Sequence, residues 1–190
     1  MATRSSVRIK NARRQGPVLV QAPPNVFVAL DFETADYQRD SACSVAIVRV
    51  EGRKIVGRQK HLIRPPRKMF VFSYIHGITW QDVAGEPAFD AVWLKVKNLL
   101  DGAAFIAAHN ASFDAGVLRA CCAQAGLQPP PQPFVCTVKL ARKVWSLKPA
   151  KLPDVCRHLG VKLNHHDALS DAEACARIVL AALEAGASVL

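Results

Sequence analysis

The stretch Val26-Phe27-Val28-Ala29-Leu30-Asp31-Phe32-Glu33-Thr34 decides the reading of the fold. Five apolar residues, Val26 to Leu30, predict a buried strand, and two carboxylates follow one residue apart at its end. Side chains on a strand alternate faces, so Asp31 and Glu33 share one face while Phe32 turns towards the core. Two like charges held side by side disfavour each other's ionisation unless a cation lies between them. Carboxylate oxygens are hard ligands suited to Mg²⁺ or Mn²⁺. Asp-x-Glu pairs also occur on solvated strand ends, so a metal site requires further ligands from elsewhere in the chain.

Outward from this strand, residues 26–33, the pattern gives a strand at Ala42 to Val50, a turn at Glu51-Gly52-Arg53 and a strand at Lys54 to Ile63, together a hairpin. Arg64-Pro65-Pro66-Arg67-Lys68 reads as a basic loop, either solvated or tracking phosphates, with the solvated reading favoured, and Thr79 as the N-cap of a short helix. Apolar residues from Phe89 to Leu100 recur at helical spacing, which predicts a helix over Pro87 to Leu100. Ala103 to Ala108 reads as a short buried strand and Ser112 to Ala125 as a helix stopped by Gly126. A strand at Phe134 to Cys136 and helices at Thr137 to Trp145, Leu152 to Leu159 and Asp167 to Gly186 complete the order. Strands first, then alternating strands and helices, specify an α/β layered domain with a mixed sheet over residues 26–190. Residues 1–25, polar, basic and ending in Ala22-Pro23-Pro24, read as a tail.

The chain has 190 residues, 51% of them hydrophobic and 21% charged, a globular composition with enough length for a real core. No apolar run approaches the length of a membrane span, so no membrane partner is expected. The formal net charge is +10. The first 30 residues carry +5 with no acid, through Arg4, Arg8, Lys10, Arg13 and Arg14, and the remaining 160 carry 20 bases against 15 acids. That balance favours a polyanionic partner, nucleic acid first. The six cysteines form no CxxC and no zinc-spaced cluster, so they read as free thiols in a reducing, cytoplasmic setting. The basic N-terminus lacks the apolar core of a signal peptide.

Two later stretches supply the missing ligands. In Ala108-His109-Asn110-Ala111-Ser112-Phe113-Asp114, the acid falls in the first turn of a helix that follows a buried strand, where ligands gather in open α/β sheets. In His166-Asp167-Ala168-Leu169-Ser170-Asp171, the acid falls in the first turns of the last helix, with His166 just before it. Asp31, Glu33, Asp114 and Asp171 then make four carboxylates, a set that suits two divalent ions about 3.5–4 Å apart acting on a phosphodiester. A neutral histidine suits the base that an attacking water needs at physiological pH. His109 reads equally as a buried, satisfied ring or a substrate contact. His165 reads as a solvated loop residue, His76 as a structural cap, and Asp36, Asp40, Asp82 and Asp167 as surface or capping residues.

The three blocks, Asp31-Phe32-Glu33-Thr34, His109-Asn110-Ala111-Ser112-Phe113-Asp114 and His166-Asp167-Ala168-Leu169-Ser170-Asp171, resemble the three motifs of the DEDDh group of DnaQ-like 3′–5′ exonucleases. The resemblance spans roughly residues 26–185. Ile75-His76-Gly77-Ile78-Thr79 and Leu152-Pro153-Asp154-Val155-Cys156 are similar to segments of the proofreading epsilon subunit of bacterial DNA polymerase III. It implies an RNase H-like fold, a mixed five-stranded sheet flanked by helices. It implies that Asp31, Glu33, Asp114 and Asp171 bind two Mg²⁺ or Mn²⁺ ions and that His166 is the general base. Thr34 would touch the terminal nucleotide, Phe32 would support the site from behind, and His109, Asn110 and Phe113 would shape the substrate pocket. The implied activity is 3′–5′ exonucleolytic hydrolysis of single-stranded or frayed DNA ends to nucleoside 5′-monophosphates. RNA is the alternative substrate, and a catalytically weak nucleic-acid-binding module the alternative class. Cys136-Thr137 departs from the Asp-Thr of many relatives, which is expected to change a local contact and not the ligand set. With Leu190 following soon after the third block, no polymerase-binding extension is expected.

Overall fold

The computed structural model describes residues 26–190; the expected tail over residues 1–25 lies outside the described residues. Five strands form one mixed sheet in the order β3-β2-β1-β4-β5. The central strand, β1 (Val26–Thr34), pairs antiparallel with β2 (Ala42–Glu51), and β2 pairs antiparallel with β3 (Lys54–Leu62). The β2–β3 turn is the two residues Gly52 and Arg53, with φ of 50° and 66°. Two successive positive φ values match the twist of a tight hairpin, and the Glu51–Lys54 pair closes it. On its other edge β1 runs parallel to β4 (Ile106–Ala108), which runs parallel to β5 (Phe134–Cys136). The C-terminal ends of β1, β4 and β5 therefore lie side by side.

Alternation along β1 sorts the core into two layers. Phe27 and Ala29 face a layer built with α5 (Thr137–Trp145), α6 (Leu152–Leu159) and α7 (Ala168–Glu184). Val28, Leu30 and Phe32 face the opposite layer, built with α3 (Phe89–Val96) and α4 (Ser112–Gln124). Asp31 and Glu33 continue the Phe27–Ala29 row, so they emerge on the face that α7 covers. Between β3 and α3 lie the single-turn helices α1 (Ser73–His76) and α2 (Trp80–Val83). Thr79 caps α2 as expected: its N–H and hydroxyl both donate to Asp82 Oδ2 at 2.7 Å.

The face that α7 turns inward is made of small side chains. Ala172, Ala174, Cys175, Ala176 and Ala182 are all completely buried, flanked by Ile178 and Val179. Without branched residues at these positions the helix can lie close against β1 and β2. Asp171 sits at the start of this face, so its height over the sheet is set by the same packing.

Several boundaries move from the sequence reading. The strand expected over Ala103–Ala108 shortens to Ile106–Ala108, because Ala103 and Ala104 belong to the loop leaving the turn at Gly102. The helix expected over Pro87–Leu100 is α-helical only to Val96 and tightens into a 3₁₀ turn over Lys97–Leu100. Asp167 lies outside α7 as its N-cap, accepting from Ser170 N–H at 3.0 Å.

The basic loop is the larger correction. Arg67 is not a free surface charge: its guanidinium donates to Asp36 Oδ2 at 3.0 Å and to both oxygens of Asp40. Asp36 is not a surface residue either, being 1% exposed. Desolvation pushes its carboxyl up, but hydrogen bonds from Arg67, the Gln38 N–H and Ser41 outweigh that and hold it below its ordinary value. The ion pair fixes the 35–41 loop behind the end of β1, where Ala35 O accepts from Val71 N–H at 2.6 Å. Truncating Arg67 to Ala leaves a buried carboxylate without its partner. Because the arginine is about one-third exposed, the full cost of breaking a buried pair is discounted. Arg67→Ala is expected to destabilise the domain by about 2 kcal/mol in urea unfolding, and Asp36→Asn by less.

Candidate active site

The alternation of β1 brings Asp31 and Glu33 against the first turn of α7. One carboxylate oxygen from each of Asp31, Glu33 and Asp171 lies within 4.8 Å of the others. Asp114 belongs to the same region but is held differently. It is 2% exposed in the first turn of α4, and its Oδ1 accepts the Phe32 N–H at 3.2 Å. Asp171 is 4% exposed; its Oδ2 accepts the His166 N–H at 3.2 Å and faces His165 Nδ1 at 2.9 Å. Among the described residues its buried Oδ1 has no hydrogen-bond partner. A buried carboxylate oxygen lacking a donor is costly unless a cation serves it.

The electrostatics point the same way. Burial first, then Asp114, Asp171 and Glu33, push Asp31 well above the usual carboxylate range. Burial and the charges of Asp171 and Asp114 raise Glu33 to about 8, with Lys60 pulling against them. Burial lifts Asp114 to about 7 despite the Phe32 N–H. Burial raises Asp171 too, against the His166 N–H and the His165 ring. All four acids lie where their charged forms lack compensation, and hard divalent cations are the ions that such a donor set fits.

His166 takes φ of +71°, a left-handed conformation unusual outside glycine. That turn aims its N–H at Asp171 and stacks its ring on His165, centroids 3.8 Å apart. Burial and the neighbouring His165 lower its pKa below the ordinary imidazole value, so the ring is neutral at physiological pH. His165 is exposed, as a loop residue should be, yet it is not merely solvated: it contacts Asp171 directly. The one sequence signal for this was its place beside His166.

The remaining residues singled out from sequence divide. Thr34 is buried, and its carbonyl faces His76 Nε2 at 3.1 Å. His76 Nδ1 accepts the Ile78 N–H at 3.0 Å, so Nε2 carries the proton and donates; His76 is structural, as read. Phe32 is 3% exposed and packs under the site in the α3–α4 layer. His109 Nδ1 lies 2.8 Å from Thr137 Oγ1. Its ring, depressed to about 4 mainly by burial, stays neutral with the Ala150 backbone against it. Asn110 takes φ of +63°, its carbonyl accepting the Phe113 N–H at the start of α4. Cys136 is half-buried at the end of β5 and is not among the clustered ligands.

Two features had no sequence signal. Lys60, on the exposed edge strand β3, reaches across to Asp167, next to His166, and shares with Glu33 and His166 a cleft of about 230 Å³. A second cleft of about 210 Å³ is walled by Phe72, Ile75 and Phe113 and floored by Phe32, Glu33 and Thr34. Phe113 was expected there; Ile75 arrives from α1 and Phe72 from its N-cap, both distant in sequence. The pair of clefts flanks the carboxylates with one polar and one apolar wall.

Comparison with known proteins agrees with this arrangement. Residues 28–179 match the RNase_T family, described as an exonuclease. The chain is 32% identical over 162 residues to a DNA polymerase III of PolC type from Thermotoga maritima, and 35% identical over 164 residues to the 3′–5′ exonuclease DinG of Bacillus subtilis. Both alignments cover 83% of this chain but only 12% and 18% of those longer proteins. Among solved structures, Exonuclease X in complex with 5′ overhanging duplex DNA superposes with a TM-score of 0.71 at 27% identity, covering 86% of this chain and 95% of that one. The nuclease domain of 3′hExo, a DEDDh family member bound to rAMP, superposes with a TM-score of 0.76 at 19% identity, covering 87% and 95%. The fold expected from the motifs is thus the fold observed, and the chain belongs to the exonuclease family of the RNase_T type.

Proposed function

We propose that this domain removes nucleotides from the 3′ end of single-stranded or frayed DNA, releasing nucleoside 5′-monophosphates. The observation that carries this reading is the convergence of Asp31, Glu33 and Asp171 within 4.8 Å, beside Asp114, at the meeting of β1, α4 and α7. DNA is favoured over RNA because the relatives at 29–35% identity include DNA polymerase III proteins and DinG, and Exonuclease X was solved with DNA.

Asp31, Glu33, Asp114 and Asp171 would hold two Mg²⁺ or Mn²⁺ ions. When bound, such ions supply charge stabilisation for the phosphoryl oxygens and a more acidic water. The protein's own residues do the rest. The backbone N–H groups of Phe32 and His166 fix Asp114 and Asp171, so these acids point into the cluster without searching for a rotamer. His166, neutral and exposed at the edge of the Lys60 cleft, takes the proton from the attacking water. Its left-handed backbone is the kind of local strain that persists where surrounding contacts demand it. The Phe72–Ile75–Phe113 cleft receives the terminal base on apolar walls, which suits any of the four bases.

Three outcomes test the reading. On 3′-labelled single-stranded DNA, Asp31→Asn is expected to lower kcat by about 10³-fold or more, and chelator to abolish turnover. Full activity in either case would sink the mechanism. His166→Ala is expected to lower kcat by about 10²–10⁴-fold, with His165→Ala costing clearly less; equal losses would reject His166 as the base. The third is thermodynamic. Between the ordinary carboxyl range near 4 and the raised values near 7 and 8, the metal-free fold keeps protons that the unfolded chain releases. Stability therefore falls as pH rises through that window. Thermal unfolding in chelator should show a lower Tm at pH 8 than at pH 5. Added Mn²⁺ should raise Tm more at pH 8, because binding requires the deprotonated acids.

A further inference from the structure

The folded domain's positive charge is concentrated in one place. Residues 137–162 carry seven Lys and Arg against the single acid Asp154. The rest of residues 26–190 carry thirteen bases against fourteen acids, so this one segment accounts for the whole surplus. It is α5, the 146–151 loop, α6 and the strand of chain that follows.

Ion pairing is sparser in this segment than in the rest of residues 26–190, where five of thirteen bases are paired. Arg49, Arg58, Lys60, Arg67 and Arg177 each hold a carboxylate. In the segment, only Arg157 does, through Asp154 at 3.1 Å. Lys139, Arg142 and Lys143 lie one turn apart on the exposed side of α5, while Leu140 and Ala141 face the core. Lys148, Lys151 and Lys162 are exposed as well. Among the described residues none of these six has a carboxylate within ion-pair distance. Residues 1–25 contain no acid that could supply one. Six cations without partner acids within one stretch of 24 residues repel one another, which is a cost that a polyanion removes.

The segment is also tied to the cluster of acids. At its start, Thr137 Oγ1 sits 2.8 Å from His109 Nδ1, in the second motif. At its middle, Ala150 is buried with its backbone against the same ring, flanked by the exposed Lys148 and Lys151. The basic face thus begins and returns beside the ring of His109, in the helical layer that α5 and α6 share with α7.

We propose that this face, from Lys139 through Lys151, binds the phosphate backbone of the substrate strand on the 5′ side of the nucleotide being removed. The proposal rests on the reading of the acidic cluster as the cleavage centre. The terminal phosphodiester enters a strongly anionic site, so the strand needs a cationic surface next to it to hold it there. Lysines and one arginine without partner acids contact phosphates without reading bases. The face therefore sets affinity and salt sensitivity, and leaves the chemistry to the carboxylates.

The experiment uses the full chain, in wild-type form and as Lys148→Gln/Lys151→Gln, Lys139→Gln/Arg142→Gln and, as a control of equal charge on other surfaces, Lys54→Gln/Lys95→Gln. Binding of a fluorescent 20-nucleotide single strand is measured in chelator against salt, so it is read whether or not cleavage occurs. Each test pair should flatten the slope of log K against log salt by about 1.4, roughly 0.7 per lost phosphate contact. Each should also raise KM on the oligomer about tenfold at 100 mM salt, the control far less. Hydrolysis of the p-nitrophenyl ester of thymidine 5′-monophosphate, which has no upstream phosphates, should be unchanged. An unaltered salt slope, a control pair that loses as much, or ester hydrolysis falling in step with the oligomer would each overturn the proposal. A wild-type chain that binds the strand with this salt dependence but cleaves neither substrate would instead overturn the exonuclease reading and leave the binding face standing.

Discussion

Carboxylates forced together at the end of one strand are the constraint to which the rest of this structure answers. At separations of 4 to 5 Å and an effective dielectric near 20, each ionised pair costs about 3–4 kcal/mol. A hydrogen bond from a backbone N–H to a charged group returns about 1.5–3 kcal/mol. Asp114 and Asp171 have such bonds, from Phe32 and His166, and Asp31 still lies far above its usual range. Local hydrogen bonding therefore loses to burial and repulsion together, and protons or divalent cations must close the gap. A domain whose total stability is of order ten kcal/mol keeps such a cluster only by building strong support around it.

That support is visible on both sides of the sheet. The two-layer core fixes β1 from above and below, and its alternation delivers Asp31 and Glu33 to one face. The Arg67 clamp on Asp36 and Asp40 anchors the loop that follows β1. Lys60 and Asp167 tie the edge strand to the turn that carries His166. Each of these constrains where the acids stand.

Much of this was legible in the chain itself. The hairpin, α5, α6 and the four acids follow from periodicity, turn residues and helix ends, because those signals are local. The misread residues share a different property. Asp36 and Arg67 look like surface charges, since an ion pair between residues 31 apart leaves no local pattern. His165 looks like a loop residue because its contact with Asp171 depends on the left-handed turn at His166, which no residue preference announces. Lys60 and the Phe72–Ile75 wall come from parts of the chain brought near only by tertiary packing. The shortened β4 and the 3₁₀ end of α3 are boundary effects, where the sheet twist and the turn at Gly102 override apolar composition.

The small-residue face of α7 carries one more consequence. Because Ala172, Ala174, Cys175 and Ala176 act as spacers of minimal thickness, the gap between α7 and the sheet is also the gap between Asp171 and Asp31. The core here works as a gauge for the spacing of these acids. A single added methyl group several ångströms below the surface would widen that spacing without touching either acid, and ions of different radius would register the change differently. For the metal site proposed above, ion preference would thus be written partly in alanines.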